Sequence, residues 1–220
     1  MLNQEVTTEF LNARLKNEKK SYLVIKRFID ILISTSGLII LSPLMIVIML
    51  LIKIEDSKAP IFFKQIRCGE NGKEFQLYKF RSMQVDAEEK LHQLKNQNEQ
   101  SGPVFKMKND PRVTKIGYFI RRTSLDELPQ LINVLKGEMS LVGPRPPLPI
   151  EVEQYNNYHK LRLLAKPGLT CIWQVSGRNS IGFEEWVTLD IQYLMTRTLW
   201  LDLKLIFLTI PALFWDKNAS

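Results

Sequence analysis

The chain has 220 residues and a net charge of +7, with 45% hydrophobic and 24% charged side chains. That composition excludes a disordered chain and leaves room for one domain with its own core. Two cysteines, Cys68 and Cys171, and two distant histidines, His92 and His159, make no zinc spacing, disulfide framework or Cys–His nucleophile. The basic excess suits nucleic acid, an anionic membrane surface or a phosphorylated substrate, and charge alone does not choose among them.

Residues 1–22 read as a polar, amphipathic N-terminal segment. Residues 31–52, ILISTSGLIILSPLMIVIMLLI, are apolar over about the 20 residues that a membrane helix needs. The run is too long and starts too late for a cleavable signal, and no small-residue cleavage site follows. Ser42-Pro43 lies at its middle, where proline removes a helix hydrogen bond and predicts a kink. Both flanks are basic: Lys16, Lys19, Lys20, Lys26 and Arg27 before, Lys53, Lys58, Lys64 and Arg67 after. The positive-inside rule keeps both flanks in the cytoplasm, which a re-entrant helix over 23–54 achieves. A kinked single span is the alternative, and the residues alone leave both open. Asp30 at the entrance is placed to pair with Lys26 or Arg27.

Residues 61–83 alternate apolar and polar around Gly69-Glu70-Asn71-Gly72 and predict a β-hairpin, with Lys79 and Arg81 on its second strand. Residues 84–101 are polar and predict an exposed helix or excursion. Then comes SLDELPQ, residues 124–130. Ser-x-x-Glu is a capping-box pattern, which puts the Ser124 side chain on the Glu127 N–H. Leu128, Leu131, Ile132 and Leu135 recur at helical spacing and Gly137 is a stop, so a helix begins near Leu125–Leu128. Asp126 and Glu127 then sit at its mouth, where adjacent carboxylates can converge on one ion, with Arg121 and Arg122 upstream.

Leu141-Val142-Gly143-Pro144-Arg145-Pro146-Pro147 predicts a rigid turn whose single arginine can fork onto phosphate, or a connector with a solvated arginine. Residues 151–166 predict an exposed helix, and a polar loop with Arg178 follows the strand or turn at 169–175. Trp173 reads as packing. A helix is expected over about 183–196, carrying Asp190, and another over 199–215, lying in the membrane interface with Trp200 and Trp215 at headgroup level.

The stretches KRFID (26–30), the Ser42-Pro43 break, YKFRSM (78–83), NDPRVTKIGYFIRRTSLDELPQLINVLKGEMSLVGPRPP (109–147), KPGLTCIWQVSGRN (166–179) and LWLDLKL (199–205) resemble the bacterial sugar transferases, or monotopic phosphoglycosyl transferases. The match covers nearly everything after residue 22 and is closest to the small, exopolysaccharide-type form. Residues 84–108 are longer than in the minimal small enzymes, and Cys171 stands where many relatives carry glycine. The resemblance implies a mixed α+β, mainly helical fold. It has a re-entrant helix hairpin (23–54) broken at Ser42-Pro43, and a cytosolic catalytic domain (55–220) with interfacial amphipathic helices. It also implies transfer of sugar-1-phosphate from a UDP-sugar to undecaprenyl phosphate at the cytoplasmic face of the inner membrane, with release of UMP.

Carried onto this chain, the resemblance makes Asp126 the nucleophile, with Glu127 and Asp126 holding Mg²⁺. Arg121 and Arg145 match positions that grip phosphate. Lys79, Asp190 and Asp202 match polar motif positions that line the site, with structural ion pairing as their alternative. The implied partners are the UDP-sugar, undecaprenyl phosphate and membrane lipid, and a homodimer and other glycan-assembly enzymes are compatible with it. No nucleic-acid partner is expected, because the basic residues are spread along the chain and crowd the apolar segment.

Overall fold

The computed structural model describes residues 4–94, 97–105, 107, 109–176 and 181–215; at 4–6 and 212–215 only the backbone path is described. Arg178 therefore lies outside the described residues, as does the side chain of Trp215. Helix α1 (Gln4–Lys16) leads into α2 (Lys20–Glu55), which at 36 residues is about 54 Å long. Leu11 of α1 is fully buried in the main core, so the N-terminal segment packs as part of the domain.

The Ser42-Pro43 break does not divide α2, which runs as one helix with Pro43 inside it. The local chemistry explains the tolerance. Pro43 cannot donate to the Ile39 carbonyl four residues back, and the Ser42 hydroxyl donates to that carbonyl instead, at 2.8 Å. The first half of α2 is stapled to the domain by Arg27, which donates to the Val134 and Leu135 carbonyls, and by Asp30, which accepts from Ser140 Oγ and Leu141 N–H. Asp30 thus binds the domain rather than pairing solely with its basic neighbours. The second half packs Met45, Ile48 and Ile52 against Phe80 and Ile120. At the exit, Glu55 accepts from the Lys115 and Ile116 amides.

Strands β1 (Phe62–Cys68) and β2 (Glu74–Phe80) form the expected antiparallel hairpin, with Phe62 opposite Phe80 and Cys68 opposite Glu74. Its turn is left-handed at Asn71 and Gly72, which their residue types permit. The polar excursion contains α3 (Ala87–Leu94). Next come α4 (Lys115–Arg122), capped by Thr114 Oγ1 on the Gly117 N–H, and α5 (Gln130–Lys136). Strand β3 (Ser140–Val142) pairs in parallel with β4 (Gly168–Thr170). Where their ends meet, a Cβ on Gly168 would lie 2.0 Å from Gly143 N, so this contact demands glycine.

Between these strands the expected single helix is replaced by α6 (Pro149–Glu153), α7 (Asn157–Lys160) and a 3₁₀ turn at Leu161–Leu164. Helix α8 (Ile172–Ser176) precedes α9 (Phe183–Thr196) and α10 (Leu199–Trp215), both close to expectation. Trp173 and Trp186 stack at 4.7 Å inside the core, a packing role as the sequence predicts. The molecule is mixed α+β and mainly helical.

Candidate active site

Asp126 and Glu127 lie on a 3₁₀ turn, Leu125–Glu127, wedged between α4 and α5. The expected capping box is not formed. Ser124 adopts a left-handed φ of +53°, and its backbone carbonyl, not its hydroxyl, accepts from the Glu127 N–H at 3.1 Å. Pro129, the residue before Gln130, delays the helix further, so α5 starts later than its apolar spacing suggests. The turn lifts the two carboxylates off any regular helix. Its flanking Leu125 and Leu128 pack on the apolar cluster of Met45, Ile48, Ile52, Phe80 and Ile120, to which the second half of α2 contributes.

Lys79 reaches the dyad from β2. Its ammonium lies 2.6 Å from Glu127 Oε1 and 3.8 Å from Asp126 Oδ2. Asn133, fully buried on α5, aligns the two elements: its amide donates to the Gln76 carbonyl and its oxygen accepts from the Tyr78 N–H. Asp126 is only 6% exposed. Burial, reinforced by the neighbouring Glu127 charge, pushes its carboxyl up to about 6, against the pull of Lys79 and Arg121. Arg121 therefore acts on Asp126 from the last turn of α4.

Arg145 stands on the Pro-rich turn, held by buried Glu151 at 3.2 Å; Glu151 also accepts from the Leu148 N–H at 2.9 Å. Between this turn and the dyad lies Arg67, which the sequence reading counted only among the flanking positive charges. It donates to the Pro146 carbonyl and to Gln65, and it feels the charges of Arg145, Glu151 and Glu127. The hairpin register was the signal that could have found it, since Arg67 and Lys79 fall on one face.

Two of the expected lining residues, Asp190 and Asp202, are held in buried networks. Asp190 is buried against Arg162 and lies beneath the Arg145 backbone amide, supporting the turn from below. Asp202 accepts from Tyr22, Lys26 and Tyr193 and ties α2, α9 and α10 together. Both make the ion pairs of the structural alternative, Asp190 with Arg162 and Asp202 with Lys26.

Residues 21–216 match the bacterial sugar transferase family. The chain belongs to that family. It is 50% identical over 207 residues to the galactosyl transferase CpsE of Streptococcus agalactiae, covering 94% of this chain and 46% of the relative. It is 45% identical over 221 residues to the undecaprenyl-phosphate galactose phosphotransferase of Salmonella typhimurium, covering 96% and 45%. The exopolysaccharide production protein ExoY of Rhizobium meliloti is 42% identical over 198 residues, covering 88% and 87%. The chain thus spans a little under half the length of the first two relatives.

Proposed function

We propose that this sugar transferase moves a sugar-1-phosphate from a UDP-sugar to undecaprenyl phosphate on the cytoplasmic face of the inner membrane. The observation that carries the reading is Asp126, a buried carboxylate with a raised pKa, flanked by Glu127, Lys79 and Arg121 on a turn whose leucines pack on the apolar cluster that α2 shares. In the first step an Asp126 oxygen attacks the phosphorus bearing the sugar. The phosphoanhydride bond breaks, UMP leaves, and an aspartyl phosphosugar remains. In the second step an oxygen of the lipid phosphate attacks the same phosphorus, the acyl phosphate bond breaks, and the Asp126 carboxylate is restored. Lys79, Arg121 and Arg145 stabilise charge on the phosphoryl oxygens.

The dyad suits Mg²⁺. Lys79 already shows that one cation can lie near both carboxylates, and magnesium is held by one or two carboxylates together with substrate phosphates. Asp126 and Glu127 would hold it, and the ion would neutralise phosphate charge during transfer. The acidic dyad also gives a bound cation a role in making Asp126 ionise.

Re-entry of α2 is supported by its contacts. Arg27 and Asp30 near one end, and Ile52 and Glu55 at the other, all touch the same domain. A bilayer core about 30 Å thick cannot separate two ends that one domain holds. Between them Phe28, Leu32, Ile39, Ile40 and Leu50 are exposed, as lipid contact requires. This is also the kind of site that can meet a soluble donor and a lipid acceptor in turn.

Detergent-purified protein given undecaprenyl phosphate, Mg²⁺ and single UDP-sugars, galactose and glucose first, is expected to release UMP with one of them. EDTA and Asp126→Asn should each abolish the release. A folded sample that releases UMP with no donor overturns the reading.

A further inference from the structure

Arg67 and Arg145 form a pair of guanidinium groups with one carboxylate, Glu151, beside them. Arg67 is held in place rather than free. Its Nη1 donates to the Pro146 carbonyl at 3.1 Å and its Nη2 to Gln65 Oε1 at 2.7 Å. The amide of Cys68, the next residue, donates to the Pro147 carbonyl at 2.9 Å, so the end of β1 is laced to the Pro-rich turn. Its Nε–H is buried without an acceptor. Placing two like charges together is costly, and a fixed fork with a spare donor has its best partner in an anion. Burial, and then the repulsion of Arg145, bring the Arg67 guanidinium down to about 10, against the pull of Glu151 and Glu127.

We propose that Arg67 is a second phosphate-binding arginine, forming with Arg145 a paired seat for the nucleotide phosphate of the donor, the one that leaves as UMP. The proposal rests on the diphosphate-donor reading given above. The placement follows from the hairpin. Lys79 and Arg67 share one face of it, Lys79 at the dyad and Arg67 four pairing positions away, beside the Pro-rich turn. The Arg67 guanidinium also feels the Glu127 charge, so a donor whose sugar-linked phosphorus meets Asp126 presents its second phosphate toward the two arginines. When the phosphoanhydride bond breaks, the electron pair and the new charge go to that second phosphate, where the seat receives them. Arg67 therefore contributes to both donor binding and departure of UMP. Glu151 is a positioning residue, since it holds Arg145 and the turn without reaching the phosphate.

The experiment compares wild type, Arg67→Gln, Arg67→Lys and the charge control Lys64→Gln, which removes an exposed cation from the same strand. Calorimetric affinities for UDP, UMP and uridine are read beside KM values for the UDP-sugar and for undecaprenyl phosphate. Arg67→Gln is expected to weaken UDP and UMP about 10- to 100-fold and leave uridine unchanged, a loss typical of one charge-assisted phosphate contact. KM for the donor should rise in step, KM for the lipid should hold, and Lys64→Gln should match wild type. Arg67→Lys keeps the charge but not the fork and should fall between, which also serves if Arg67→Gln does not fold. A folded Arg67→Gln that binds UDP as wild type does overturns the proposal while leaving the transferase reading intact. A rise confined to the lipid KM moves the seat to the acceptor phosphate and overturns it too. Wild type that binds neither UDP nor UMP overturns both.

Discussion

Asp126 and Asp202 are almost equally buried, at 6% and 4% exposure, yet their surroundings are opposite. Asp202 accepts from three side chains: Tyr193 at 2.7 Å, Tyr22 at 2.9 Å and Lys26 at 3.0 Å. Asp126 has a cation at 3.8 Å, and that cation is closer to Glu127. A carboxylate whose lone pairs are taken is a structural joint. One that is buried, crowded by a like charge and poorly matched keeps its nucleophilicity for a substrate. Burial thus does not tell these two aspartates apart, whereas the supply of donors does.

The sharpest way to break that contrast is to neutralise each aspartate. Asp126→Asn is expected to lower turnover by about 10⁴-fold or more, as losing a nucleophile does. The same change should leave the fold intact or raise its melting temperature. The sign follows from linkage. The Asp126 carboxyl holds its proton up to about pH 6 when folded, against 3.8 as its ordinary value. The native state therefore loses stability as pH rises through that window, and asparagine removes the loss. Turnover and thermal melts at pH 8 check both halves, and a variant that is inactive because it is unfolded would sink the contrast.

Asp202→Ala should do the reverse. Removing one partner of a buried pair leaves Lys26 uncompensated and costs about 3 kcal/mol. The melting temperature should fall sharply, while the folded fraction keeps kcat within a few-fold of wild type. A kcat loss that matches Asp126→Asn would return Asp202 to the catalytic site.

These two aspartates also show what was legible in the sequence. Local chemistry read well: Asn71-Gly72 gave the hairpin, and helices were expected where α9 and α10 lie. The dyad was visible because it sits in a long specific motif. What failed was local geometry with two solutions. Ser-x-x-Glu can close through the serine hydroxyl or through its carbonyl, and only the left-handed φ at Ser124 decides between them. What stayed hidden was long-range pairing. Lys79 and Glu127 lie 48 residues apart, and Asp202 and Tyr22 lie 180 apart, so no window of sequence contains both partners. Arg67 was hidden for a different reason, since a basic residue after an apolar run reads as a topology signal.

A smaller effect tests the electrostatics around Asp126. The acid limb of kcat/KM is expected below about pH 6, since a cation bound at the dyad favours the ionised carboxylate, and activity is lost as Asp126 gains its proton. Lys79 pulls that carboxyl down, so Lys79→Met should move the limb upward in pH as well as lowering the plateau. A limb that stays in place would mean that Lys79 serves the substrate alone.

The smallest effect concerns how the apolar helix carries its proline. The Ile39 carbonyl receives no helix hydrogen bond from Pro43 and takes the Ser42 hydroxyl in its place. Ser42→Ala leaves that carbonyl unmatched and should cost about 1 kcal/mol, the usual value of one hydrogen bond. The loss should appear as a melting shift of a few degrees, larger in lipid nanodiscs than in detergent, where water can reach the carbonyl more easily. Turnover should fall only slightly, because the apolar cluster that receives Leu125 and Leu128 takes Met45, Ile48 and Ile52 from beyond the proline. If turnover instead falls sharply in the folded Ser42→Ala variant, the Ser42-Pro43 step in α2 sets the position of the dyad. The second half of α2 would then be a lever acting on Asp126 as well as a floor beneath it.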